Sequence, residues 1–186
     1  MFKRVFSLLW LVALLFAQGM APAAAAPAPV PAPAHIEEHL KQPRVAGAGA
    51  FKWFGLRIYD AELWVGEKGY QNGAPFVLEL RYARKLDGVK IAEASAAEME
   101  KLGAGTRAQR AAWLARMKEI FPDVKEGSRI SGVFLPASGT RFYLDGKALA
   151  SVPDPEFSRA FFAIWLDPAT SAKALRTALL KDAAPR

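Results

Sequence analysis

The chain has 186 residues, a formal net charge of +7 and no cysteine. Without thiols, disulfides, cysteine nucleophiles and thiolate metal sites are excluded, and the fold must rest on its apolar core. The basic residues are scattered among acids rather than gathered in a stripe with interleaved aromatics, which argues against a nucleic-acid groove.

In chain order, Lys3 and Arg4 precede the apolar run VFSLLWLVALLF, and the small residues of MAPAAAAP follow. This is the three-part layout of a secretory signal peptide over residues 1–25, with cleavage expected after Ala25. The run is too short to span a bilayer comfortably, and no second run of 18 apolar residues occurs, so no membrane span is expected in the mature protein. A signal peptide on a cysteine-free chain suits a bacterial periplasm. Losing Lys3 and Arg4 lowers the formal charge to +5 and leaves about 160 residues, enough for one domain. Residues 26–44 begin as alternating alanine and proline, a composition that favours extended chain, and are read as a linker. Within them HIEEH, residues 35–39, formally matches the zinc-peptidase pattern H-x-x-E-H. No further histidine exists to complete a site, so no metal is expected, and the stretch reads as a solvated polar start to the domain.

The domain is expected over residues 45–182. Residues 51–65 carry one or two strand segments, with Gly55 as a bend or bulge. FVLELRYAR, residues 76–84, alternates as a half-buried strand with Phe76, Leu78, Leu80 and Tyr82 on one face. Helical spacing of Val89, Ala92, Ala96, Met99 and Leu102 predicts a helix over 88–102, stopped by Gly103. Thr106 and Gln109 form a capping-box signature for the next helix, whose stripe is Trp113, Leu114, Met117, Ile120 and Phe121 before Pro122. Strands return at 129–136, 140–144 and 147–152, the last two joined by the hairpin signal Asp145-Gly146. Asp154 caps a helix with Pro155 in its first turn and an aromatic stripe of Phe157, Phe161 and Trp165. A last amphipathic helix carries Leu175 and Leu179. Tight hairpins require antiparallel strands, and helices segregated in blocks predict an α+β domain with one sheet face covered.

Little chemistry is legible. No serine sits in a G-x-S-x-G elbow, the two histidines lie in the linker, and the paired carboxylates read as solvated charge, so no catalytic residue is assigned. What stands out is polar groups in apolar strands. Alternation from Gly55 onward places Arg57, Tyr59, Ala61, Leu63 and Val65 on the more apolar face of their strand. Arg57, Tyr59 and Tyr82 are therefore the candidate ligand-binding residues: the tyrosines offer hydroxyls and the arginine a bidentate partner for a carboxylate.

Several segments carry a family resemblance: GAG at 47–49, RIYDAELWV at 57–65, LRYARKLDGVKIAEAS at 80–95, and IFPDVKEGSRISGVFLPASGTRFYLDGKAL followed by PDPEFSRAFFAIWLD. Over residues 45–180 the chain resembles the bacterial chalcone isomerase-like proteins. The resemblance implies an open-faced β-sandwich, an antiparallel sheet layered with helices and a ligand cleft between them. Plant members close a flavanone ring by intramolecular phenolate addition, and relatives without that activity bind fatty acids. In both, an arginine shortly after the GAG motif handles an anionic oxygen; here Phe51 stands there. The position supplying a hydroxyl falls at Tyr59, and Asp87 replaces a tyrosine. Losing the arginine removes a stabiliser worth several kcal/mol at a developing charge. The expectation is thus a non-catalytic exported domain that needs no cofactor and binds a small apolar or amphipathic ligand such as a fatty acid. The alternatives are an isomerase or lyase using a Tyr/Arg site, and a protein-interaction module with a closed cleft.

Overall fold

A computed structural model describes residues 31–71 and 73–185, so the signal peptide read over 1–25 lies outside the described residues. Six strands run β1 (Arg44–Trp53), β2 (Leu56–Val65), β3 (Phe76–Tyr82), β4 (Arg129–Leu135), β5 (Gly139–Leu144) and β6 (Lys147–Val152). They form one antiparallel sheet in sequence order; tight turns require this for β1–β2, β4–β5 and β5–β6, while β3 and β4 pair antiparallel across a long helical connection. Among the described residues five helices accompany them: α1 (Ala34–Glu37), α2 (Gly88–Lys101), α3 (Arg107–Ile120), α4 (Pro155–Leu166) and α5 (Lys173–Leu179).

Helices α2–α5 cover one face. Their apolar stripes bury Met99, Trp113, Met117, Phe157, Phe161 and Leu179 against Leu63, Leu78, Leu80 and Phe142 of the sheet. Full burial of each large side chain contributes about 1.5–3 kcal/mol, and this layer supplies most of the core. Val89 departs from the predicted stripe of α2 and is exposed.

The helix starts follow their sequence signals. Thr106 Oγ1 accepts from the Gln109 amide, and the Gln109 side chain accepts from the Thr106 amide. Asp154 accepts from the amides of Glu156 and Phe157, while its second oxygen accepts the Trp113 indole at 2.8 Å. Burial works against the Asp154 carboxylate, but those donors hold its pKa below the usual range.

The GAG motif has a packing explanation. A Cβ on Gly47 would lie 2.1 Å from the Ala178 carbonyl oxygen, and one on Gly49 would lie 2.9 Å from Leu175 Cδ1. Helix α5 therefore rests directly on the backbone of β1, where side chains would hold it away.

The opposite face of the sheet differs from expectation. Residues 35–39 do not form a solvated start. Helix α1 lies on that face, where Ile36 and Leu40 pack with Val77, Val133 and Tyr143 in a second, smaller core. Two apolar residues four apart, Ile36 and Leu40, suffice to seat one helical turn. For the same reason β3 is buried on both faces over Phe76–Leu80 rather than half-buried.

Candidate functional site

Tyr59 on β2 and Tyr82 on β3 are direct cross-strand partners, and Phe51 on β1 pairs with Tyr59 from the other side. All three project toward the helices. Phe51 stacks on Tyr59 with ring centroids 5.1 Å apart, and Tyr82 meets Tyr59 edge-on at 6.0 Å. From α4 the Trp165 indole N–H donates to the Tyr59 hydroxyl oxygen at 2.9 Å. Such aromatic pairs gain about 0.5–1.5 kcal/mol beyond burial, so the cluster is held in a defined geometry.

Burial raises the pKa of both phenols far above the ordinary tyrosine value. For Tyr59 the Trp165 hydrogen bond works against that shift, and the nearby Glu98 carboxylate adds to it. Both hydroxyls stay neutral at physiological pH, which suits them to hydrogen bonding rather than to service as bases. Trp165 occupies a lone pair of the Tyr59 oxygen, and among the described residues nothing accepts the Tyr59 proton. That O–H is available to an incoming acceptor.

Arg57 does not join them. The β1–β2 register steps from Phe51↔Tyr59 to Lys52↔Arg57, which leaves Ile58 as an extra residue in β2. The bulge turns Arg57 off the tyrosine face, and its Nε donates to Asp60 Oδ1 at 2.8 Å on the outer side. Simple alternation does not hold through position 58. Asp87 is equally remote from ligand chemistry, since its carboxylate caps α2 through the Val89 and Lys90 amides. Trp165 is the site residue that sequence patterning missed: its place in an aromatic stripe reads as core, and only the fold brings its N–H to Tyr59. An open groove of about 430 Å³ lies elsewhere, along α4 beside Gln109, Trp113, Glu156 and Arg159.

On the outer face, α1 closes a buried polar cluster. Ser131 donates its hydroxyl proton to Glu79 at 2.9 Å, and His35 Nε2 lies 3.0 Å from the same Ser131 oxygen. Serine, histidine and carboxylate thus do meet, although the histidines seemed to lie in a linker. The wiring is wrong for nucleophilic catalysis. The hydroxyl gives its proton to the carboxylate, so His35 must donate rather than accept, and Ser131 is wholly buried. The cluster clamps α1 to the sheet.

The neighbouring His39 Nε2 contacts the Tyr143 hydroxyl at 2.7 Å. Burial lowers the His39 pKa below its ordinary 6.5; Glu38 opposes the shift, while Arg141 and His35 add to it. A histidine whose folded pKa is depressed contributes stability above its unfolded value, lost as pH falls through the folded one. The clamp is therefore expected to loosen below about pH 6.5. Amide exchange over residues 36–40, corrected for intrinsic rates, should be faster at pH 5 than at pH 7.5, and His39→Gln should shrink the difference.

Residues 29–181 match the family described as chalcone isomerase-like. The chain belongs to the chalcone isomerase-like family. Among solved structures it is similar to the crystal structure of AtFAP1, a fatty-acid binding protein of Arabidopsis thaliana. That match has a TM-score of 0.61 and 14% identity, and covers 76% of this chain and 88% of that one. At that identity the likeness speaks for the fold. A comparison with curated proteins found no match. The expected open-faced antiparallel sheet layered with helices is the fold of this chalcone isomerase-like chain. None of the described helices is long and apolar enough to cross a membrane.

Proposed function

We propose that this chalcone isomerase-like domain, of bacterial type and exported to the periplasm, is a non-catalytic binder of a small apolar or amphipathic molecule such as a fatty acid. The observation that carries the reading is the Tyr59 hydroxyl, set among Phe51, Tyr82 and Trp165 with its proton free. Aromatic walls suit an apolar chain, and the free O–H suits a carboxylate head, to which a charge-assisted bond would form. Among the described residues no arginine hydrogen-bonds either tyrosine, so a developing oxyanion there would lack its strongest stabiliser. The fatty-acid binding named for the Arabidopsis neighbour supports the same ligand class. The cation-then-apolar start of the sequence supports export.

A second reading, a protein-interaction module whose cleft is closed by its own side chains, is favoured by the way Phe51 and Trp165 already fill the space around Tyr59. Native mass spectrometry of protein purified from its own host separates the two. The binding reading expects a co-purifying adduct of fatty-acid mass, and about tenfold weaker palmitate binding by Tyr59→Phe after lipid removal. If no adduct appears and stripped protein takes up no palmitate, the closed-module reading stands instead.

A further inference from the structure

The β1–β2 hairpin ends in a feature that neither the core nor the tyrosine cluster uses. Strand pair Trp53↔Leu56 is joined by a two-residue turn, Phe54-Gly55, with φ of 48° and 78°. Positive φ at both positions is the type I′ geometry, which favours asparagine, aspartate or glycine at the first. Phenylalanine is there instead, and it is 91% exposed. Trp53 and Leu56 on either side are 63% and 54% exposed, and the Trp53 ring stacks against Phe54. Backbone strain and three exposed apolar side chains therefore coincide at one projecting tip, where soluble hairpins place polar residues.

The surroundings of the tip are mainly basic. Lys52 and Arg57 form the register pair just behind Trp53 and Leu56. In the next strands at this end of the sheet, Arg81 and Arg129 stand side by side in register. Asp60 and Glu79 offset part of this charge through their pairs with Arg57 and Arg129, while Lys52 is exposed and takes part in none of the ion pairs among the described residues. An apolar wedge carrying a tryptophan and collared by cations fits the boundary between anionic headgroups and acyl chains. A protein groove would satisfy the apolar tip but gives the collar no particular role.

We infer that the β1–β2 hairpin tip docks on an anionic lipid bilayer, inserting Trp53, Phe54 and Leu56 while Lys52 and its basic neighbours meet the phosphates. The base of this hairpin is the Phe51–Tyr59 pair, so docking brings the aromatic cluster to the membrane surface. The inference does not depend on a ligand occupying that cluster.

The chain has no cysteine, so single labels report one position each. Phe54→Cys and Ala137→Cys are made in the full chain and labelled with an environment-sensitive fluorophore. Ala137 lies in the β4–β5 turn, at the opposite end of the sheet. Vesicles of phosphatidylcholine alone, or mixed with phosphatidylglycerol, are then added. The expected result is a blue shift and quenching by lipid-borne quenchers at position 54 but not at 137, with the mixed vesicles. Lys52→Glu, exposed and expected to melt like the parent, should weaken this response about tenfold or more. A position-54 label that stays water-exposed with phosphatidylglycerol present would overturn the proposal. So would a shift that grows with protein concentration without vesicles, which would mean a second copy covers the tip. Indifference to Lys52→Glu would equally overturn the basic collar.

Discussion

Gly47→Ala is expected to unseat α5 and lower stability by about 3 kcal/mol, the upper end of the usual cost of overpacking, because the neighbour is unyielding. The added methyl would lie 2.1 Å from the Ala178 carbonyl oxygen and 2.5 Å from that of Leu179. Both are backbone atoms, so no rotamer change relieves the overlap and the helix itself must move. Moving it exposes Leu175 and Leu179, which are buried, at about 1.5–3 kcal/mol each. In a chain of this size 1 kcal/mol shifts the melting temperature by about 2–4 °C, so a fall near 10 °C is expected in a thermal melt. Ala48→Val is the control, because Ala48 is exposed on the same strand. A Gly47→Ala melt within a degree of the parent would show that α5 does not rest on β1 in solution.

Legibility in the sequence tracked how local the cause was. Asp145-Gly146 announced its hairpin because both residues tolerate the positive φ they adopt, 49° and 78°. Phe54-Gly55 builds the same turn, yet phenylalanine carries no such signal, and the sequence predicts only a bend or bulge there. The helix starts at Thr106 and Asp154 were readable because a cap is a contact within three residues. The same holds for the apolar faces of β3 and α4, which periodicity exposes directly.

What escaped depended on distant partners. The bulge at Ile58 exists because two strands mismatch by one residue, and nothing in RIYDAEL reports it; Arg57 therefore leaves the face that alternation predicts. Glu79 reads as the wet side of a strand, since the turn of helix that covers it, Ala34–Glu37, comes from far upstream beside an alanine and proline run. His35 and Ser131 are 96 residues apart, and their contact has no local trace. Tyr59 and Tyr82 were found by type and pattern, but the residue that orients Tyr59 lies 106 positions away on α4. Strand faces can be read where the ladder is regular; the polar wiring between layers cannot.

Trp165 gives that wiring its sharpest test. Its side chain is nearly fully buried, meets Phe161 edge-on with ring centroids 5.3 Å apart, and holds the Tyr59 hydroxyl. Trp165→Ala should cost about 3–5 kcal/mol through lost packing and the space left behind. Trp165→Phe keeps most of the volume and loses chiefly the donor, so about 1–2 kcal/mol is expected. The two variants part further when ligand is added. The space opened by alanine is lined by Tyr59 and Phe161, and a dry apolar cavity takes apolar guests. Palmitate at a hundredfold excess over its Kd would restore about 2.7 kcal/mol to a protein that binds it only when folded. Stripped Trp165→Ala should therefore regain much of its lost melting temperature with palmitate, and Trp165→Phe should gain less. Equal loss in both variants would show that the Tyr59 hydrogen bond, not packing, dominates. No rescue of Trp165→Ala by any chain length of fatty acid would remove the Tyr59 cluster from the ligand's path.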